Sequence, residues 1–191
     1  MVGKADKWDG KARAMLGKTG GPPVSVVATV RDATAEVGIL YGAEFTGGTG
    51  TPILAAAAQR QVEMAKEILG LRASADNVGA LLELGWMGVE SKAKRARLMF
   101  WWRLGRTESA LMQQLEKQAH EQKLEDEQIA KRSQYNWWRC TDELVGLMAS
   151  ASGDSADTLR AMSRETFRHV VNHTLWREEF GAWCSADLAH A

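Results

Sequence analysis

The fold is decided by the stretch Ala80–Arg106, which reads ALLELGWMGVESKAKRARLMFWWRLGR. A short apolar segment stops at Gly85, Trp86 occupies the turn, and a segment from about Val89 to Leu104 mixes aromatic and aliphatic residues with lysines and arginines. The apolar residues require burial, whereas the cations require water or an anion. We therefore interpret the second segment as a core helix with one basic edge. Its cations are Lys92, Lys94, Arg95, Arg97, Arg103 and Arg106.

The composition is that of a globular chain without an overall charge of either sign. Lysine plus arginine and aspartate plus glutamate both number 24 in 191 residues, so any anion-binding claim must rest on local clusters. The two cysteines, Cys140 and Cys184, are too few for a disulfide framework. The first residues lack the apolar core of a secretory signal, and no apolar run approaches the roughly 18 residues of a membrane span. We expect an intracellular protein, in the nucleus or cytoplasm, that has no membrane partner.

The segment before residue 50 gives mixed signals. Residues 1–23 are rich in glycine and proline and are predicted to be poorly ordered. GKT at Gly17–Thr19 resembles the end of a phosphate-binding loop, but Ala12 stands where that motif requires glycine. The β-branched residues of Val24–Val30 suit a strand, whereas the spacing of the valines up to Tyr41 suits a helix. The pattern alone leaves this segment open.

Helical signals dominate the rest of the chain. Pro52 at a first helical position and Gly70 after a last turn bound one helix, which Thr51 can cap. Ser74 can cap a second helix over Ala75–Leu84. Further helices are predicted over residues 107–132, 137–148 and 163–183, the first of them solvated and rich in glutamine and glutamate.

The predicted fold class follows from the absence of alternating segments after Phe45. It is all-α, an irregular helical bundle of about five to seven helices, with a short strand near residues 24–30 as the open alternative. SASGDS at 150–155 is predicted to be a loop, in which Asp154 or Ser155 can cap the next helix. We predict three parts: residues 1–23, residues 24–106 with the basic helix, and residues 107–191, which include an acidic, glutamine-rich connecting helix.

The sequence offers no assembled active site, and no cofactor is predicted. It contains no GxSxG motif, and its aspartates are scattered rather than placed together as two-metal chemistry requires. Neither cysteine has flanking residues that would activate it as a nucleophile.

A metal site is the least favoured of the chemical hypotheses. His169 and His173 are four residues apart, one turn after Glu165, and this spacing can bind a metal. However, Val170 stands where the hydrolytic HExxH motif has glutamate. Conceivable third ligands are Cys184 and Glu179. The plainer interpretation is that both imidazoles lie beside Trp176 at a half-buried edge of the core.

The eight tryptophans invite a second function, stacking on nucleobases. They include the pairs Trp101–Trp102 and Trp137–Trp138. Helical spacing favours core packing for these rings. The basic edge is different, because packing gives no reason for six cations within fifteen residues. A solvated face is the commonest use of such a run, and contact with phosphates is its competitor.

With these residues in view, the order of motifs resembles the region that follows the catalytic palm in reverse transcriptases of non-LTR (LINE-type) retrotransposons. The segments that carry the resemblance are ILYGAE at Ile39–Glu44, QRQVEMAKEILGLRASADNVGAL at Gln59–Leu81, LLELGWMGVESKAKRARLMFWWRL at Leu81–Leu104 and, more loosely, NWWRCTDELVGLM at Asn136–Met148 and the segment Arg168–Trp183. Two features depart from the family pattern. Phe45 stands where the family usually has tryptophan, and the palm with its paired aspartates is missing.

The resemblance implies a thumb-like region over 24–106 and a post-thumb region over 107–191, without polymerase activity. It also favours a helix in the open segment. In that family the thumb lies against the template–primer duplex, so the implied partner is RNA or an RNA–DNA duplex, recognised by shape. The implied contact residues are Lys92, Lys94, Arg95, Arg97, Arg103 and Arg106. The motif residues with an implied structural role are Tyr41, Gly42, Gly70, Gly85, Trp86, Trp101, Trp102 and Trp137.

Three hypotheses for the function therefore follow from the sequence. The first is a non-catalytic fragment or remnant of such a reverse transcriptase that binds nucleic acid through its basic helix. The alternative is a helical structural or interaction protein, a subunit of a larger assembly, whose partners are other protein chains. The lesser alternative is a metal-dependent enzyme that uses Glu165, His169 and His173.

Overall fold

The valine-rich segment that the sequence left open is helical. Val24–Arg31 forms the first helix, α1, in the computed structural model, which describes residues 23–31, 40–44, 52–110, 113–114, 117–118 and 137–188. The carbonyl of Pro23 accepts hydrogen bonds from Val26 and Val27 at 2.9 and 3.3 Å and so starts the helix. Burial of Val27 in a helical core outweighs the strand propensity of its β-branched neighbours.

The fold class is confirmed. Seven helices and no strand occur within the described residues, so the short strand considered near residues 24–30 is wrong. The other helices are α2 (Pro52–Leu69), α3 (Asn77–Glu83), α4 (Val89–Leu104), α5 (Trp137–Ser152), α6 (Ala156–Ala161) and α7 (Arg164–Leu188). None of the helices in these ranges combines the length and the apolar character that crossing a membrane requires. Residues 1–23 are predicted to be poorly ordered, and all of these except Pro23 lie outside the described residues, as do the cap Thr51 and most of the helix predicted over 107–132.

The N-terminal caps agree only in part with the sequence prediction. Ser155 caps α6, because its hydroxyl accepts from the backbone N–H of Thr158 at 3.1 Å. The predicted cap Ser74 is wrong. Asp76 caps α3 instead, with an extended backbone and a carboxylate that accepts from the N–H of Gly79. A carboxylate suits this position because the helix N-terminus is positively polarised.

Three helices, α2, α3 and α5, are followed by glycines with a left-handed backbone, and the first two lead to the basic helix. Gly70 after α2 has φ +66° and Gly85 after α3 has φ +64°. After α3 the N–H of Gly85 donates to Leu82 at 2.8 Å and that of Trp86 donates to Leu81 at 2.9 Å. This pair of bonds is a Schellman motif. It turns the chain sharply and places Trp86 back against the helix it has just left.

Two compact units make up the described chain, and each draws on segments that are distant in sequence. Unit 1 contains the described residues up to Tyr41, those from Pro52 to Lys92 and those from Glu179 onward. Unit 2 contains residues 42–44 and the described residues of Ala93–Glu178. The predicted division of the chain at residue 106 is based on the resemblance to the thumb and post-thumb regions of a polymerase. It stays a prediction.

The core of unit 1 forms around α2. Met64, Ala65 and Ile68 lie on one side of this helix and are at most 5% exposed. The complete cluster is Val27, Met64, Ala65, Ile68, Ala80, Leu81, Trp86 and Phe180. Burying each of the large members contributes about 1.5–3 kcal/mol, so this cluster fixes the turn before α4 as well as the helices.

In unit 2, α4 and α7 pack as antiparallel neighbours. Lys94 near the start of α4 forms an ion pair with Glu178, at 2.6 Å between Nζ and Oε1. Near the end of α4, the rings of Trp101 and Trp102 both lie with centroids 6.1 Å from that of Phe167 in the first turn of α7. The two indoles are 3% and 7% exposed, which confirms core packing for this tryptophan pair.

Candidate nucleic-acid interface

The N-terminus of the basic helix α4 is held by a buried amide in unit 1. Gln61 on α2 is completely buried, and its Nε2 donates to the carbonyl of Met87 at 3.0 Å. Its Oε1 accepts from the N–H of Val89 at 2.9 Å. No sequence motif assigned a role to Gln61. The signal for it is a polar residue in line with the buried Ala65 and Ile68 at helical spacing.

A carboxylate holds the next backbone group of the same turn. The N–H of Gly88 donates to both oxygens of Glu179, at 2.9 and 3.1 Å. A Cβ atom at Gly88 would lie 2.3 Å from Oε1 of Glu179, so the close approach depends on glycine. Glu179, which the sequence offered as a third metal ligand, is therefore engaged at the start of α4, where negative charge is favourable.

Three of the six predicted contact cations are held within the fold. Arg97 is only 4% exposed, and burial lowers the pKa of its guanidinium, an effect that the neighbouring Cys140 opposes. Lys94 is committed to its ion pair with Glu178. Lys92 in unit 1 is half-buried and has an interaction within the fold. A phosphate cannot reach Arg97 without rearrangement of the packing around it.

The other three cations keep their charge at or near the surface. Arg95 is half-buried and Arg103 is exposed, with its guanidinium carbon 5.6 Å from the centre of the Phe100 ring. Arg106 is exposed and stacks 4.4 Å from the ring of Trp102. Within the described residues, none of the three arginines has a carboxylate partner. We call Arg95, Arg103 and Arg106 the α4 cations.

Arg106 also has a structural task. It donates to the carbonyl oxygens of Arg160, Ala161 and Met162, at 3.2, 2.9 and 2.6 Å. These carbonyls end α6, where backbone acceptors lack partners within the helix. These acceptors are neutral carbonyl oxygens and not carboxylates.

The remaining motif residues occupy different environments. Tyr41 is 74% exposed and precedes Gly42, which has φ +75°. Trp86 lies in the core of unit 1. Trp137 in unit 2 donates from Nε1 to the carbonyl of Glu44, and its ring meets that of Phe100 edge-on with centroids 5.8 Å apart.

The histidine pair is placed differently from the sequence interpretation. His169 and His173 are exposed on α7 rather than half-buried, with 6.4 Å between ring centroids. Among the residues that the structure describes, no group of three or more histidine, cysteine, aspartate or glutamate side chains is placed to hold a metal ion. The side chain of Cys184 lies outside the described part. The geometry therefore gives the metal-enzyme hypothesis no support.

Comparison with known proteins identifies no relative of this chain. No family model, no curated protein and no solved structure matches this chain. Its function is accordingly inferred from the geometry of the two units and from the order of motifs.

Proposed function

We propose that this chain is a non-catalytic helical fragment or remnant of a reverse transcriptase of the non-LTR retrotransposon type. In this proposal it binds the backbone of RNA or an RNA–DNA duplex through α4. The order of motifs supports the proposal, and an all-α fold is what the resemblance implies. Weak, salt-sensitive affinity is expected because the contacts are made to phosphates rather than to bases.

The observation that carries the proposal is that, within the described residues, the α4 cations have no carboxylate partner. Arg103 and Arg106 are exposed, and no carboxylate neutralises them or Arg95 within the described part of the chain. A guanidinium presents several donors in a fixed plane that matches the oxygens of a phosphate. Positive charge that the fold leaves without an acidic neighbour favours an anionic partner.

The spacing of these cations suits a polymer of phosphates. Arg95 and Arg103 are eight residues apart, about 12 Å along the helix, and residues at this spacing share one face. One strand of a B-form duplex carries a phosphate about every 3.4 Å of its axis, so the two guanidiniums reach separate phosphates. Lys92, Lys94 and Arg97 are left out of the contact surface because the fold engages or buries them.

The test replaces the charges at Arg95 and Arg103 and leaves Arg106 in its structural place. The double variant Arg95→Gln/Arg103→Gln is titrated with an RNA–DNA hybrid at several salt concentrations. For each phosphate that is no longer neutralised, the slope of log affinity against log salt is expected to become shallower by about 0.9, the value for B-DNA. Arg139→Gln is the matched control, because Arg139 is an exposed arginine that pairs with Glu143 on α5.

Two outcomes contradict the proposal. One is an affinity for the hybrid that does not depend on salt. The other is a double variant that binds the hybrid as tightly as the unmodified chain does, since the charge of the α4 cations would then have no part in binding.

The alternative, a structural or interaction protein, is favoured by a feature of unit 1. Several of its large apolar side chains are exposed: Val24 (41%), Val26 (46%), Tyr41 (74%), Ile53 (67%) and Leu71 (43%). Apolar side chains of this kind contact other protein chains when they form a continuous patch. The oligomeric state in solution separates this function from the first.

A further inference from the structure

A second cationic surface lies on α7, the helix whose sequence spacing predicted only a metal site. Two neighbouring rows of residues, each spaced by four, lie on the exposed side of this helix. One row is Arg164, Arg168, Asn172 and Trp176, and the other is Glu165, His169, His173 and Arg177. All are exposed except Asn172, which is half-buried. We call these two rows the α7 face; the adjoining row, Phe167, Val171 and Leu175, is completely buried.

Within the described residues, the arginines of the α7 face make no polar contact that would stabilise the fold. No ion pair or hydrogen bond joins the side chain of Arg164, Arg168 or Arg177 to another described residue. Exposed Arg139, by contrast, pairs with a glutamate on its own helix at 3.2 Å. Arg164 and Arg168 are four residues apart, where like charges destabilise a helix. Three arginines face one glutamate, Glu165, so the surface favours an anionic partner.

Planar rings occupy the middle of the α7 face. The imidazoles of His169 and His173 stack with 6.4 Å between centroids and 24° between planes. Trp176 follows three residues later and is 42% exposed. In the described part of unit 2, it is the one large hydrophobic side chain with this exposure. Flat rings flanked by arginines are the combination with which proteins stack unpaired bases and hold their phosphates.

We propose that the α7 face binds single-stranded nucleic acid, with the rings stacked on bases and the arginines on phosphates. A duplex fits less well, because its bases are stacked on one another and inaccessible to the rings. An anionic membrane also fits less well, since an interfacial helix presents a broad apolar face and this surface has one exposed indole. The inference rests on the proposed function insofar as both assign nucleic acid as the partner, but it concerns another surface and another ligand.

The experiment measures binding of the full chain to a short fluorescent single-stranded RNA and, separately, to an RNA–DNA hybrid. Trp176→Ala is expected to weaken single-strand binding about tenfold, as removal of one stacked ring does. Arg164→Gln/Arg168→Gln is expected to weaken it as well. This double variant should also make the slope of log affinity against log salt shallower by about 0.7 for each phosphate that is no longer neutralised. Neither variant is expected to change binding of the hybrid.

Two controls keep the result interpretable. Arg139→Gln removes an exposed arginine elsewhere in unit 2 and is expected to leave single-strand binding unchanged. Trp176 is partly packed, so circular dichroism and thermal unfolding establish whether its alanine variant is folded. The two arginines are exposed, and their replacement supplies the same readout without disturbing the core.

The outcomes separate this inference from the proposed function. Loss of single-strand binding in the α7 variants, with hybrid binding intact, supports the inference. The inference is overturned if the unmodified chain does not bind single-stranded RNA. It is also overturned if the α7 variants bind single-stranded RNA with full affinity, even where Arg95→Gln/Arg103→Gln weakens hybrid binding. Binding to phosphatidylserine vesicles through Arg164 and Arg168, without RNA binding, overturns it in favour of a membrane surface. Failure of hybrid binding alone contradicts the proposed function and leaves the inference standing.

Discussion

At the scale of single residues, Gln61 fixes where the basic helix begins. Its amide uses one donor and one acceptor on the backbone of the turn, at Met87 and Val89. A buried amide that satisfies two backbone groups is stabilising mainly because those groups are costly to leave without partners. The backbone of the turn at Met87 and the start of α4 at Val89 therefore depend on this side chain.

We expect Gln61→Leu to lower the free energy of unfolding by about 2–4 kcal/mol, because each buried group left unsatisfied costs about 1–3 kcal/mol. Urea denaturation measures the change. Gln59→Leu is the control: Gln59 lies on the same helix but is exposed and bonds only to Glu63, so a change within about 0.5 kcal/mol is expected. Equal losses in the two variants would show that the amide contacts contribute nothing specific.

Arg97 shows that the sequence alone does not distinguish a buried cation from an exposed cation on the same helix. It stands four residues after Ala93 and four before Trp101, and all three are buried, at 7%, 4% and 3% exposure. This row was visible in the sequence, yet the charge of Arg97 led to its assignment to the basic edge. Spacing shows which residues share a face. It does not show which face a neighbouring helix covers, and that is decided by tertiary packing.

At the scale of helices and turns, the glycines that end α2 and α3 differ in kind from the glycine inside α5. Gly85 has φ +64°, whereas Gly146 lies within a helix at an exposed position. A Cβ atom would meet nothing within 4 Å at either site, so backbone conformation alone separates them. Substitutions at the two positions should therefore have effects of opposite sign.

Gly85→Ala is expected to destabilise the protein by about 1–2 kcal/mol, because an L-residue is strained in the left-handed region. Gly146→Ala is expected to stabilise it by about 0.5–1 kcal/mol, because alanine is the better helix former. Thermal unfolding followed by circular dichroism measures both changes. Stabilisation by Gly85→Ala would contradict the assigned end of α3, and with it the turn that leads into the basic helix.

Helix positions could be predicted from the sequence largely because the signals are local. Pro52 and Gly70 bound α2 as expected, and the all-α class followed from spacing. The cap of α3 could not be chosen, since Ser74 and Asp76 are both good caps and only the backbone conformation decides between them. The α7 face was missed because burial depends on distant segments. Trp176 and Phe180 are four residues apart, yet they are 42% and 1% exposed.

At the scale of the whole molecule, the net charge is zero, but the exposed arginines and the exposed large apolar side chains are concentrated in different units. The α4 cations and the arginines of the α7 face lie in unit 2, whereas Tyr41 and Ile53, the most exposed of the large apolar side chains that the structure describes, lie in unit 1. The two kinds of surface respond to salt in opposite ways. Phosphate contacts weaken as salt rises, whereas salts such as sulfate strengthen apolar association.

We expect the chain to be monomeric at micromolar concentration in light-scattering measurements, and to remain so as sulfate is added. Apolar side chains that are exposed singly are ordinary on monomers, and the five in unit 1 come from four places in the chain: α1, Tyr41, the start of α2 and Leu71. If an oligomer forms instead and sulfate strengthens it, the interaction-protein alternative is favoured. Ile53→Lys would then be expected to dissociate the oligomer, because burying a lysine without a partner is costly. Ala151→Lys, at an exposed site on α5, should leave it intact.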